Sequence, residues 1–423
     1  MSALADQLRY LEASSSFYAE RLRGLREHVR GAADLPRLPF TTKDDLRDGQ
    51  RREPPFGPHL CAPPESLVRV HVTSGTTGEP VAVGFTQADH EANSAVGGEA
   101  FQIAGLRPDD VVAHCLNYAL YAGGIADHMA LEASGATVVP VGTGQSRRLL
   151  ELIPLLRITA IFGTLSFPAY LAGRAREAGI EPRELGLRHI VTAGEPGAGL
   201  AAVRQEIEEA WGATLADTFG MSDVWSTMGG ACGEGEGLHL TVDGHAVLEL
   251  VDPDSGASVE LEDGAAGELV WTHLRREASP LLRYRSGDLA RVWTEPCACG
   301  RTEPRIRIDG RRDDMLRVQA VNVYPQAIGA VLAAEPRLGR HCVVAEGDPI
   351  VPPLCVYVEA PPQVDLNGVE DRLHAGLGAR FAVTRLAPGS LPVAEHKTRI
   401  VHRTARGDAL PAAVETLRRE STT

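Results

Sequence analysis

The chain has 423 residues, a length that favours two or three domains and allows a large core without covalent staples. Apolar residues make up 43% and charged residues 23%, while 42 Lys and Arg face 56 Asp and Glu, for a net charge of −14. That balance argues against binding to nucleic acid or to an anionic membrane surface, and leaves room for a small anion in a locally positive pocket.

Residues 1–50 read as helix. Leu8, Leu11 and Phe17 are periodic, and TTKDDL (41–46) looks like a helix start capped by Thr42. After a Pro-rich segment (53–64), the strand LVRVHV (67–72) runs into TSGTTGEP (73–80), and VAVGF (81–85) follows as a second strand. From 111 to 225, strands VVAHCL, ATVVPV, AIFG, HIVTAG and ATLADTFG alternate with helices near 123–134, 146–156, 166–178 and 199–210. This alternation predicts a mainly parallel sheet covered on both faces. HAVLELVD, GELVWTHL and ARVWTE, between 238 and 295, predict an antiparallel, barrel-like part. A boundary is expected at GRRDDM (310–315). A compact α+β unit follows it: strand MLRV, a helix near 324–335, strands HCVVAEG and PLCVYVEA, and a helix near 367–379. The fold class expected is therefore α/β plus α+β.

Seven cysteines, an odd number in a long chain, point to a reducing cytoplasm rather than a disulfide scaffold. The N-terminus lacks the apolar run of a signal peptide, and no run reaches the roughly 18 residues of a membrane span. In TSGTTGEP, glycines let the backbone approach an anion, and successive N–H groups and hydroxyls supply donors. No Lys follows Gly78 and a strand rather than a helix comes next, so this is not a Walker loop. Composition alone leaves a phosphate loop and a plain surface turn equally open. Cys232, His239, Cys297 and Cys299 form a sufficient donor set for tetrahedral zinc, with free buried thiols as the alternative. Tyr118 and Tyr121 either pack against an aromatic ring or fill the core.

Four further segments stand out: AGEPG (193–197), DTFGMSD (217–223), YRSGDLARV (284–292) and GRRDDMLRVQAVNVYP (310–325). With the loop, in this order and spacing, they resemble the adenylate-forming superfamily of acyl-CoA synthetases, adenylation domains and luciferases. The phenylacetate–CoA ligase-like branch is the nearest match, through its GxEP and CxCGRT elements. The resemblance runs from about residue 10 to 405. It implies an N-terminal AMP-binding domain (1–310), a hinge (311–313) at Asp313, and a small mobile lid domain (314–423). It also implies ATP, Mg²⁺ and structural Zn²⁺, and activation of a carboxylic acid, first of all an aromatic one, as an acyl-adenylate with release of pyrophosphate.

Carried over by residue, Ser74, Gly75, Thr76, Thr77 and Gly78 would hold the β- and γ-phosphates, and Glu195 and Pro196 would flank the adenine. Asp217, Phe219 and Gly220 would shape the adenine and acyl pockets. Ser222 would approach the α-phosphate, and Asp223, where the family usually has Glu, would hold Mg²⁺. Asp288 would bond the ribose hydroxyls, assisted by Arg311, and Lys397 would be the late catalytic lysine. Tyr118, Tyr121, Gly123, Ala193 and Gly194 would line the acyl pocket, with Cys232, His239, Cys297 and Cys299 on zinc. The acyl acceptor is CoA, a carrier-protein thiol, or an amine or other nitrogen nucleophile. The branch usually reads RGVNVFP where this chain has Gln319 and Ala320, in a stretch that faces the pantetheine tunnel. A non-catalytic, zinc-stabilised nucleotide-binding module is the alternative from another class. The resemblance also allows a homodimer.

Overall fold

The computed structural model describes residues 3–73, 79–195, 197–198, 201–319, 321–335, 337–388, 390–391 and 400–404. Three helices open the chain: α1 (Ala3–Ser14), α2 (Ser16–Leu22) and α3 (Lys43–Arg52). Leu8, Leu11 and Phe17 are buried as their spacing predicts, packed around Leu282. Between α2 and α3 the chain is not α-helical but takes short 3-10 turns, one of them containing Pro36. The cap at α3 is a full capping box: the Thr42 hydroxyl accepts from Asp45 N–H at 3.2 Å, and the Asp45 carboxylate accepts from Thr42 N–H at 2.8 Å.

Strands β1 (Arg69–Val72) and β2 (Ala82–Phe85) pair antiparallel, with Val72 opposite Ala82. Thr73 N–H donates to Val81 O at 3.0 Å and Val81 N–H donates to the Thr73 hydroxyl at 3.1 Å, which closes the base of the connecting segment. Then come α4 (Gln87–Ile103), β3 (Val111–His114), α5 (Ile125–Ala133), β4 (Thr137–Pro140) and α6 (Ser146–Leu156). They are followed by β5 (Ala160–Gly163), α7 (Ser166–Glu177), β6 (His189–Thr192), α8 (Ala201–Trp211) and β7 (Thr214–Phe219). The polar, glycine-containing sequence of α4 does not announce a helix. Its glycines permit close packing: a Cβ at Gly97 would lie 2.6 Å from Ala130 Cβ on α5.

The antiparallel part comprises β8 (Gly229–Gly230), β9 (Leu238–Leu240), β10 (Ala246–Val251), β11 (Ser258–Val259), β12 (Ala266–His273), β13 (Tyr284–Trp293) and β14 (Arg305–Arg311). It runs straight into the parallel part. One twelve-stranded sheet has the order β11-β10-β12-β13-β14-β9-β8-β7-β6-β5-β3-β4, and the join is the antiparallel pairing of Phe219 on β7 with Gly229 on β8. The helices cover the parallel half as expected, with Leu149, Ile153, Leu171 and Trp211 buried on one face and Phe101, Ala130 and Leu131 on the other.

A separate C-terminal unit holds the hairpin β15 (Leu316–Val318) and β16 (Val321–Val323), then α9 (Pro325–Ala333), β17 (His341–Glu346), β18 (Leu354–Glu359), α10 (Leu366–Leu377), β19 (Phe381–Leu386) and β20 (Val401–Thr404). Its four-stranded sheet, β19-β18-β17-β20, has its own apolar core around Ile328, Val343, Val356 and Leu373. Gln319 sits in the hairpin connection at φ 53°, a left-handed value that a non-glycine residue adopts at a cost of roughly 1–2 kcal/mol. Among the described residues no helix is long and apolar enough to cross a membrane.

Candidate active site

Parallel strands deliver their C-terminal ends to one edge of the sheet, where open α/β sheets place their ligands. Here that edge is a row. His114 pairs in register with Phe162, Gly163 with Thr192, and Thr192 with Asp217. The Thr192 hydroxyl donates to the Asp217 carboxylate at 3.1 Å, and burial pushes that carboxyl up to about 7. Phe219 closes β7. Gly220 behind it leaves no space for a side chain, since a Cβ would fall 1.9 Å from Ser226 O. The tight turn this permits carries Ser222 and Asp223, and Asn93 of α4 pins it through Ser226 N–H at 3.0 Å.

Asp223 is buried, with Oδ2 held by Lys43 Nζ at 3.2 Å and Oδ1 without a hydrogen-bond partner. Lys43 is a site residue that the sequence reading passed over. It is the first residue of α3, where the helix dipole disfavours a cation, and that mismatch was the available signal. The Tyr284 phenol lies beside the pair. Burial, then the Asp223 charge, push it well above its ordinary value, and Arg311 and Asp288 also act on it.

Asp288 on β13 and Arg311 on β14 are cross-strand partners, and Arg311 Nη1 donates to Asp288 Oδ1 at 3.0 Å. The other two nitrogens of the guanidinium, Nε and Nη2, grip Asp313 at 2.8 and 3.0 Å. Asp288 Oδ2 is buried and has no hydrogen-bond partner. Burial raises the Asp288 carboxyl to about 6 despite Arg311. Burial also pushes Asp313 upward, but Arg311, with Lys43 adding to it, holds that carboxyl below its usual range. Lys43, Asp223, Tyr284, Asp288, Arg311 and Asp313 thus form one electrostatic cluster where the parallel strand ends meet the antiparallel half.

A second group gathers after β3. The His114 ring lies 4.7 Å from the Tyr118 ring, and His114 Nε2 is 3.1 Å from Gly123 O. The Tyr118 hydroxyl is 2.8 Å from His128 Nδ1 on α5. Burial pushes His114 down to about 3, so its imidazole is neutral at ordinary pH. Ala193 packs into the neighbouring core near Leu116 and Phe162, and Gly194 follows it at φ 78°. Tyr121 instead is 39% exposed. The Glu195 carboxylate is engaged with the start of α7, accepting from Ser166 N–H at 2.7 Å, so this side chain anchors its loop. Ser74, Gly75, Thr76, Thr77, Gly78, Pro196, Ala320 and Lys397 lie outside the described residues.

The cysteine set converges. Cys232 follows β8, His239 is on β9, and Cys297 and Cys299 lie in the β13–β14 connection; their ligand atoms all fall within 4.8 Å of one another. Cys232 Sγ and Cys297 Sγ are 3.7 Å apart, and Cys299 Sγ is 3.4 Å from His239 Nε2. Zinc–sulfur bonds of about 2.3 Å in a tetrahedron give an S–S edge of about 3.8 Å, so the donor set fits the ion. The Cys299 main-chain N–H, with the neighbouring Cys299 and Cys232 thiols, holds the Cys297 thiol below its ordinary value, while burial holds Cys232 above its own.

Comparison with known proteins gives a consistent picture. The sequence model of the AMP-binding enzymes matches residues 3–273. A phenylacetate-coenzyme A ligase of Thermus thermophilus is 38% identical over 392 residues, covering 86% of this chain and 86% of that protein. Among solved structures, 2-hydroxyisobutyryl-CoA ligase in the postadenylation state, in complex with 2-HIB-AMP, matches with a TM-score of 0.86 and 29% identity, over 99% of this chain and 90% of that one. The same ligase in the thioesterification state, with 2-HIB-AMP and CoA, matches with a TM-score of 0.69 and 30% identity, over 99% of this chain and 91% of that one.

Proposed function

The chain belongs to the family of AMP-binding enzymes, and on that footing we propose how its residues divide the work of an AMP-forming acid–CoA ligase. The enzyme activates a carboxylic acid with ATP. A carboxylate oxygen attacks the α-phosphorus, the bond to the bridging oxygen breaks, and pyrophosphate leaves. The sulfur of CoA then attacks the acyl carbon, giving up its proton, and AMP departs. Charge grows on the phosphoryl oxygens in the first step, so fixed cations and backbone donors are what the site must supply.

One observation carries this reading: the cluster of Lys43, Asp223, Asp288 and Arg311 at the strand-end edge, with unpartnered buried oxygens on both aspartates. Asp288 Oδ2 accepts from the ribose hydroxyls while Arg311 holds the other oxygen. Asp223 Oδ1 fits a Mg²⁺ ligand, and Lys43 is positioned to meet phosphate charge once Asp223 turns to the metal. Bound Mg²⁺ supplies positive charge beside the phosphates. The loop residues Ser74, Gly75, Thr76, Thr77 and Gly78 cradle the β- and γ-phosphates, Ser222 approaches the α-phosphate, and Lys397 brings a mobile cation to the reacting phosphoryl group. The main chain at Glu195 and Pro196, with Asp217, Phe219 and Gly220, encloses the adenine. Tyr118, Gly123, Ala193 and Gly194 face the acyl group, with an aromatic acid as the first substrate class to test; Tyr121, being exposed, serves at the entrance.

The division into residues 1–310, a hinge at Asp313 and a lid at 314–423 rests on the separate C-terminal core and on the better match to the postadenylation than to the thioesterification state, TM-score 0.86 against 0.69. The lid rotates between the two half-reactions. Cys232, His239, Cys297 and Cys299 hold zinc, which when bound cross-links β8–β9 to the β13–β14 connection. All four positions are protein ligands, so the metal is structural. The protein works in the cytoplasm.

Acid-dependent exchange of labelled pyrophosphate into ATP, screened over aryl and short hydroxy acids, tests the assignment. The expected products are AMP and pyrophosphate, and formation of ADP would overturn it. Lys397→Ala is expected to slow exchange by two or more orders of magnitude, about 3 kcal/mol of transition-state stabilisation, with ATP affinity nearly intact. Mass spectrometry of the products with and without CoA identifies the acceptor, with a carrier-protein thiol or an amine as the other outcomes.

A further inference from the structure

The four-residue cluster leaves one question of geometry: what fixes the imidazole of His239. His239 is fully buried on β9, with Nε2 turned to Cys299 and the opposite nitrogen, Nδ1, without a well-formed hydrogen bond; the Glu303 main-chain carbonyl acts on the ring only as a weak acceptor. The nearest carboxylate oxygen is Glu303 Oε2, 4.0 Å away, and it too is buried and unpartnered. The other oxygen of Glu303 is occupied. Arg301 Nη1 lies 3.3 Å from Glu303 Oε1 and 3.2 Å from Glu99 Oε1 on α4. The arginine therefore holds Glu303 in place and leaves Oε2 facing the imidazole.

We infer that Glu303 is the positioning residue of the metal centre: its carboxylate accepts the Nδ1 proton of His239 and so fixes the tautomer that presents Nε2 to the ion. The inference rests on the zinc reading of the cluster. A histidine ligand needs its second nitrogen held, since a free ring can rotate away or carry its proton on the wrong side. Through Arg301 and Glu99 the same chain of contacts ties the centre to α4, whose Asn93 pins the turn bearing Ser222 and Asp223.

The test uses the full-length protein. Zinc content by mass spectrometry comes first, then zinc affinity by competition with a chromophoric chelator, for wild type, Glu303→Ala, Glu303→Gln and Glu236→Gln. Glu236 is an exposed acid on the β8–β9 connection and controls for the loss of one negative charge nearby. Glu303→Ala is expected to weaken zinc binding by about 10- to 100-fold, Glu303→Gln by less, and Glu236→Gln by no more than about twofold. The cobalt-substituted Glu303→Ala protein is expected to show a shifted ligand-field spectrum, a change that a purely structural defect would not produce. Thermal unfolding at saturating zinc checks that the variant folds. Wild-type affinity in Glu303→Ala, in a protein that does carry zinc, overturns the role of the Glu303 carboxylate alone; the Glu303 main-chain carbonyl would then hold the ring. A wild type without zinc overturns the underlying reading and this inference with it.

Discussion

Lys43→Ala is expected to lower acid-dependent pyrophosphate exchange by about 10²- to 10³-fold, the range seen when one preorganised donor to developing charge is removed. Lys43 occupies the first position of α3, next to a capping box that already satisfies the helix start through Thr42 and Asp45. A cation there works against the helix dipole by a few tenths of a kcal/mol or more, so the helix does not explain it. The ion pair with Asp223 does. In the ligand-free enzyme the lysine keeps a buried carboxylate from standing alone; with nucleotide bound, its charge is available to the phosphates. Two measurements separate these roles. Lys43→Ala is expected to be less stable than wild type without ligand, and the deficit should shrink with Mg²⁺ and ATP, because the metal then neutralises Asp223. Lys43→Arg keeps the charge but changes its shape, and should recover stability more fully than exchange rate. A Lys43→Ala enzyme that retains more than about a third of wild-type exchange would remove Lys43 from the chemistry.

The contrast between Lys43 and Asp288 shows what the sequence carried. YRSGD and GRRDD are each a local pattern that the family resemblance singles out, and the adjacent strands β13 and β14 place Asp288 opposite Arg311 in register. TTKDDL was legible as a helix start, while the target of its lysine was not. The partner lies 180 residues away, on a turn whose shape depends on Gly220 and Asn93. Helix α4 was hidden for a related reason. Its sequence, QADHEANSAVGGEAFQI, carries two adjacent glycines and no strong apolar stripe, and only the capping box of Thr86 and Asp89 marks it. What stabilises it is the close approach to α5, a tertiary effect that overrides intrinsic propensity. The joining of the parallel and antiparallel parts was likewise unreadable, because the link is a strand of two glycines, Gly229 and Gly230. The cysteine set was the opposite case. Donor chemistry together with the family resemblance pointed to the four residues, and the β8–β9 and β13–β14 connections bring them together.

Asp288→Asn is expected to raise the KM for ATP by about a hundredfold, with a much smaller change in kcat. Hydrogen bonds to a charged acceptor are worth about 1.5–3 kcal/mol each, and the substitution removes the charge from both ribose contacts while keeping one acceptor oxygen. The pH dependence identifies the group. Burial raises the Asp288 carboxyl to about 6, so the ligand-free site carries a proton below that pH. Ribose hydroxyls bond the ionised form, and wild-type KM for ATP should therefore climb as pH falls through 6, by up to tenfold per unit. Asp217, raised to about 7, titrates close by, so the difference between wild type and Asp288→Asn is the quantity to read. That difference should vanish below about pH 5, where both carry a neutral group. Stability runs the other way. The folded value lies above the ordinary 3.8, so the contribution of Asp288 to the ligand-free fold is fully present below about pH 4 and is lost as pH rises through 6. Asp288→Asn removes that loss, while Arg311 keeps Asp313 as its partner. The variant should thus gain thermal stability relative to wild type between pH 4 and 7 as it loses nucleotide affinity, and parallel falls in both would show that the carboxylate serves the fold rather than the ribose.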